Sequence, residues 1–239
     1  MRVHVVVHES FEGPGAIEKW ARTRGHELGF SQLHEGDRLP TAAGIDLLVV
    51  MGGPQSTRTT VEECPHFDAA AEQQLIAACV VAGAAVVGVC LGAQLVGEAL
   101  GAPAGPSPYP EIGAFAVTLT ADGREHPFLA SLEPTFPAGH WHRDMPGLTA
   151  DAVVLATSPG CPRQIVAYSQ HVYGFQLHLE LTSGLVEELV ANSQDQLSAL
   201  DGFLYVSAAD LRRTDWRPLH DRLFAFLDRL ATDHQGAPA

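Results

Sequence analysis

Lysine is nearly missing from this sequence of 239 residues: Lys19 is the only one, and basic side chains total 14 against 28 acidic ones. The net charge of −14 leaves no basic footprint for nucleic acid or an anionic membrane surface. No apolar run approaches the roughly 18 residues of a spanning helix. The opening Met1–His8 stretch lacks the apolar core and small-residue cleavage site of a secretory leader. Cysteine is scarce: Cys64, Cys79, Cys90 and Cys161 include no C-x-x-C pair, and a chain of this length needs no disulfide framework. These absences point to a cytosolic protein. Internal repeats and linkers are also missing, so a single domain over 1–239 is expected.

What is present is a chain 46% hydrophobic and 18% charged, far from a disordered composition. Val3–Val7, Asp46–Met51 and Ala84–Val89 are short continuous apolar runs, the pattern of strands buried on both faces. Helical spacing over Ala16–Arg24, Phe67–Val81 and Ala93–Leu100 alternates with them. Ile112–Thr120 reads as a half-buried strand, followed by short strands at Val153–Thr157, Gln164–Ser169 and Val172–Leu177. Leu185–Leu200 and Asp215–Leu230 read as amphipathic closing helices, within about 185–232. The alternation in the first half predicts an α/β fold, its parallel sheet covered by helices on both faces and its site at the strands' carboxyl ends.

The strongest local signal is Gly88-Val89-Cys90-Leu91-Gly92-Ala93-Gln94, between a buried strand and a helix. It is a nucleophile elbow with cysteine in the reactive place: glycines on either side leave room for the tight turn, and the helix N-terminus favours a thiolate. The plain alternative is an ordinary core cysteine. A thiolate needs a base, and His178 and Glu180, two apart in an extended segment, point the same way. Glu180 can then fix the imidazole tautomer while the other ring nitrogen serves Cys90; a solvated His–Glu pair is the alternative. The turn Met51-Gly52-Gly53-Pro54 follows a buried strand, and the Gly53 and Leu91 amides suit an oxyanion hole. Gln94, one helical turn after Cys90, faces the same side and suits a polar substrate group, or else solvent.

Together, Gly-x-Cys-x-Gly-x-Gln, the upstream Gly-Gly-Pro turn and the late Gln176-Leu-His-Leu-Glu180 resemble the class I (triad-type) glutamine amidotransferases over about residues 1–185. Glu111-Ile112-Gly113 and Trp141-His142-Arg143-Asp144 are similar to the stand-alone, GMP-synthase-like group. The resemblance implies a flavodoxin-like fold with an open, mostly parallel sheet. It also implies Cys90 as nucleophile, His178 and Glu180 as its partners, Gly53 and Leu91 as oxyanion donors, and Gln94 as a glutamine contact. Gly52, Trp141, His142 and Asp144 are the further substrate-side residues. Leu179 stands where larger families usually carry proline. No synthetase segment follows residue 185 and no G-x-x-x-x-G-K-[ST] loop occurs, so any ammonia acceptor is expected to be a separate partner or small molecule.

His140 and His142, also two apart, invite a metal reading, but with no second ligand cluster nearby in sequence neither metal nor cofactor is expected. Three functions follow: glutamine side-chain hydrolysis through a γ-glutamyl thioester, hydrolysis of a larger γ-glutamyl amide by the same nucleophile, or a binding module without turnover.

Overall fold

Strand and helix alternate along the first hundred residues of the computed structural model, which describes residues 1–197 and 204–236. The order is β1 (Arg2–Val7), α1 (Ala16–Thr23), β2 (Glu27–Gln32), β3 (Leu47–Val50), α2 (Ala69–Val81), β4 (Ala85–Val89) and α3 (Leu91–Ala99). Next come β5 (Gly105–Leu119), α4 (Ala121–Glu125), β6 (Thr135–Met145), β7 (Val153–Thr157), β8 (Ile165–Ser169) and β9 (Val172–Phe175). The chain closes with α5 (Ser183–Asn192), α6 (Gln194–Leu197), β10 (Leu204–Tyr205), α7 (Ala208–Arg213) and α8 (Arg217–Gly236).

The strands form one sheet in the order β10-β5-β7-β8-β9-β4-β3-β1-β2, with β6 paired to β5. From β2 to β9 every neighbour is parallel, whereas β9-β8, β8-β7, β7-β5 and β5-β6 are antiparallel. The central strands separate two cores by simple alternation. Val5, Val49 and Val87 pack with Ile17 and Trp20 of α1 and Phe226 of α8, while Val6, Leu48 and Val86 pack with Ile76 of α2 and Leu95 of α3. Burial on both faces is why β1, β3 and β4 read as unbroken apolar runs. Among the described residues no helix is long and apolar enough to cross a membrane.

Three strands lie outside the sequence reading. β2 is a half-exposed edge strand with glutamate and glycine in it, and β10 spans only two residues. β6, TFPAGHWHRDM, carries Pro137, Gly139 and four charged or imidazole side chains, yet pairs with β5 through Ile112–Trp141 and Val117–Phe136. The half-buried strand expected at Ile112–Thr120 starts earlier, at Gly105. The helix expected over Leu185–Leu200 is shorter: α5 ends at Asn192, α6 covers Gln194–Leu197, and 198–200 fall outside the described residues.

Candidate active site

Because β1, β3, β4 and β9 are parallel neighbours, their carboxyl ends deliver His8, Met51–Pro54, Cys90 and Gln176–Glu180 to one rim of the sheet. Cys90 is the single non-glycine residue with positive φ among those described (φ 53°), a conformation that disfavours a side chain and marks stored strain at a turn. The sequence meets the turn's steric demands with glycine. A Cβ on Gly88 would come within 2.3 Å of the Gly92 carbonyl oxygen, and one on Gly92 within 2.0 Å of the Val50 oxygen. The turn is pinned by Cys90 N–H to Phe175 O at 2.7 Å and Gly92 N–H to Met51 O at 3.1 Å. Cys90 caps the N-terminus of α3, so the partial positive end of that helix lies at the sulfur's own residue.

His178 lies beyond the end of β9, where an isolated bridge pairs its backbone with Gly139 of β6. Its Nδ1 is 2.6 Å from Glu180 Oε1, both side chains buried. Burial pushes the imidazole pKa down, but the Glu180 charge and the Cys90 sulfur outweigh it, and His178 is held well above its ordinary value. Nε2, the nitrogen left for Cys90, has no hydrogen-bond partner among the described residues, while the thiol is turned to the Trp141 carbonyl oxygen at 3.6 Å.

The remaining expected residues gather around a pocket of about 380 Å³ lined by Gly53, Cys90, Leu91, Gln94, Trp141, His142 and Asp144. The Gly53 and Leu91 amides donate to no protein acceptor among the described residues. Gly52 is held by its carbonyl oxygen, which accepts from His8 Nδ1 at 2.8 Å. Gln94 does more than line the pocket: its amide donates to Gln176 Oε1 at 3.2 Å, and Gln176 Nε2 lies 3.5 Å from the Cys90 sulfur. His142 is buried and turns Nε2 away from the pocket, 3.3 Å from Glu111 Oε2.

That contact belongs to a polar network the sequence reading missed. Glu111 of β5, His140 and His142 of β6 and Gln164 are all buried, with Glu111 Oε2 receiving Ser158 Oγ at 2.6 Å and Gln164 Nε2 at 2.8 Å. His140 Nδ1 is 3.5 Å from the same oxygen, so Glu111, His140 and His142 present three donor atoms that could surround a cation. Glu9, Cys64 and His66 form a second such group, joined by a 2.9 Å His66–Glu9 contact. Gln176 and Glu12, a carboxyl on the pocket wall, were likewise unforeseen. The available signal was weak: a glutamine within an apolar strand tail, and acidic residues in the Glu9-Ser-Phe-Glu12 loop.

Comparison with known proteins agrees with this geometry. Residues 16–195 match the family model for glutamine amidotransferase class-I. The glutamine amidotransferase-like protein YfeJ of Salmonella typhimurium is 51% identical over 98% of this chain and 99% of its own. A glutamine-hydrolyzing GMP synthase of Aeropyrum pernix is 34% identical over 77% of this chain, which matches only 30% of that enzyme's length. The solved structure of SMU.1228c superposes with a TM-score of 0.93 at 41% identity, over 97% of this chain and 100% of that one. With a cysteine elbow and a buried His–Glu pair on one rim of a doubly covered sheet, the chain belongs to the class I glutamine amidotransferase family.

Proposed function

We propose that this chain hydrolyses the γ-amide of glutamine, or of a γ-glutamyl amide, through Cys90, His178 and Glu180. The observation that carries the reading is the strained Cys90 turn beside a buried imidazole whose other nitrogen is bound to Glu180 at 2.6 Å. Cys90 sulfur attacks the amide carbonyl carbon, and the Gly53 and Leu91 amides receive the charge that develops on its oxygen. His178 protonates the departing nitrogen as the C–N bond breaks, leaving a γ-glutamyl thioester. Water, deprotonated by His178, then attacks the thioester, releasing glutamate and restoring the thiolate. Arg143, on the pocket wall, suits the substrate's α-carboxylate.

Similarity to part of a GMP synthase supports a further step, delivery of the ammonia to a synthetase partner or a small acceptor. Steady-state kinetics of the purified protein on glutamine and γ-glutamyl amides, without additions, tests both points. A kcat/KM of about 10⁴ M⁻¹s⁻¹ or more places it among ordinary enzymes and overturns dependence on a partner. Absence of both turnover and Cys90 labelling by a glutamine-analogue electrophile overturns the hydrolase and leaves a binding module.

A further inference from the structure

We propose that Glu12 forms a subsite for the leaving amine, selecting γ-glutamyl amides whose amine part is free ammonia or cationic over those whose amine part bears a carboxylate. The proposal rests on the hydrolase reading above and deepens it by naming the substrate class.

Glu12 stands in the loop after β1, ahead of residues 16–195 that match the family model. Its carboxylate occupies space that Gly52 leaves open: a Cβ there would lie 2.4 Å from Glu12 Oε2 and 3.4 Å from the Cys90 Cβ. Carboxylate and nucleophile thus meet at one bare glycine. Glu12 also borders two cavities, the Cys90 pocket and a small recess walled by His178, Glu180 and Leu185. It therefore stands on the imidazole's side of the sulfur. Within the charged surroundings of its carboxyl, His178 and His8 favour ionisation, whereas Glu180 and Glu9 oppose it.

No donor among the described residues hydrogen-bonds this carboxyl; only its backbone N–H is engaged, to Glu9 O at 3.1 Å. A half-buried carboxylate facing a reaction pocket without a partner is costly unless a ligand supplies the donor. The reaction supplies one in the right place. His178 must deliver its proton to the departing nitrogen, so that nitrogen and its substituent lie on the His178 side, where Glu12 accepts an N–H. Burial, reinforced by Glu180 and Glu9, raises the Glu12 carboxyl to about 7 against the pull of His178 and His8. A cation beside it completes its ionisation. An anionic substituent meets Glu12 and is repelled by it, and Asp144, which also lines the pocket, adds to the repulsion.

The test uses three γ-glutamyl amides of similar size: those of 1,2-diaminoethane (cationic), ethylamine (neutral) and glycine (anionic), together with glutamine. The wild-type protein is expected to prefer the diaminoethane amide over the glycine amide by at least tenfold in kcat/KM. Glu12→Gln should erase most of that ratio, and Glu12→Asp, which keeps the charge, should retain it. A ratio in Glu12→Gln within twofold of wild type overturns the subsite while leaving the hydrolase intact. Should Glu12→Gln fail to fold, raising the salt concentration from 20 mM to 500 mM must shrink the wild-type ratio, and an unmoved ratio overturns the subsite. Inertness of the wild type toward all four amides also overturns it, and failure of a glutamine-analogue electrophile to label Cys90 removes the hydrolase reading as well.

Discussion

His8 donates through Nδ1 to the carbonyl oxygen of Gly52 at 2.8 Å, tying the end of β1 to the turn that carries the Gly53 amide. Its Nε2 is 2.8 Å from Glu72 Oε2 of α2, so both ring nitrogens act as donors when the ring is charged. Burial lowers the imidazole's pKa, but the Glu72 charge and hydrogen bond outweigh it and the value rises above the ordinary one. A raised folded value means stabilisation that is complete below about pH 6.5 and is lost as pH climbs through the folded pKa. His8→Gln should therefore lower the melting temperature more at pH 6 than at pH 9, with a loss at pH 6 of about 1–3 kcal/mol. Equal losses at the two pH values would show that the ring does not change charge between them. The variant should also slow turnover about tenfold, because Gly52 loses its anchor.

Gly88→Ala and Gly92→Ala each drive a Cβ into backbone, at 2.3 Å and 2.0 Å, where nothing flexible can give way. Each should cost about 3 kcal/mol or more, in the range reserved for overpacked cores. Gly25→Ala is the control: φ is +71° but the space is open, so only backbone strain of about 1 kcal/mol remains. Thermal melts of the three variants give the comparison, and similar losses in all three would mean that strain, not collision, dominates.

Thiol chemistry should single out one of three buried cysteines, Cys79, Cys90 and Cys161. Cys79, packed against α2's neighbours with its thiol pushed up to about 11 by burial, has no route to reactivity. Cys90→Ala should abolish hydrolysis while leaving the melting temperature within a few degrees of wild type. Cys79→Ala should cost about 1–2 kcal/mol of packing and spare kcat. Full activity in purified Cys90→Ala would remove Cys90 from the chemistry.

Glu180→Gln should cost less activity than His178→Ala, since the first changes the orientation and charge of the imidazole and the second removes the proton carrier. Gln at 180 can still meet Nδ1 across the 2.6 Å gap, with the tautomer reversed in a fraction of molecules. Single-turnover rates of acylation decide it; a larger loss in Glu180→Gln would reverse the two assigned roles.

Much of this arrangement was legible because it is local. Runs such as Leu47–Val50 are apolar on both faces, and the elbow glycines lie two residues from Cys90, so composition and spacing carry the message. The two-residue spacing pointed to the His178–Glu180 pair, although in the structure the segment lies past Phe175, the end of β9, and meets β6 only through the isolated Gly139–His178 bridge. What stayed hidden depends on approach across the sheet. Glu111 meets Gln164 only because β5 and β8 are brought together through β7, and Glu12 reaches Gly52 only because β1 lies beside β3. β6 was illegible for a related reason: its proline, glycine and imidazoles are tolerated by a partner strand, not favoured by their own propensity.

Two residues of β6 hold the two ends of the proposed proton path. Gly139 clasps the backbone of His178 in both directions, at 2.8 and 3.0 Å, and the Trp141 carbonyl oxygen receives the Cys90 thiol at 3.6 Å. Along one edge of the strand, these backbone anchors are separated by two residues of strand rise, roughly 7 Å. The strand thus works as a gauge block: sulfur and imidazole are spaced by a fixed length of extended backbone, and a single-residue slip of β6 would misplace both at once.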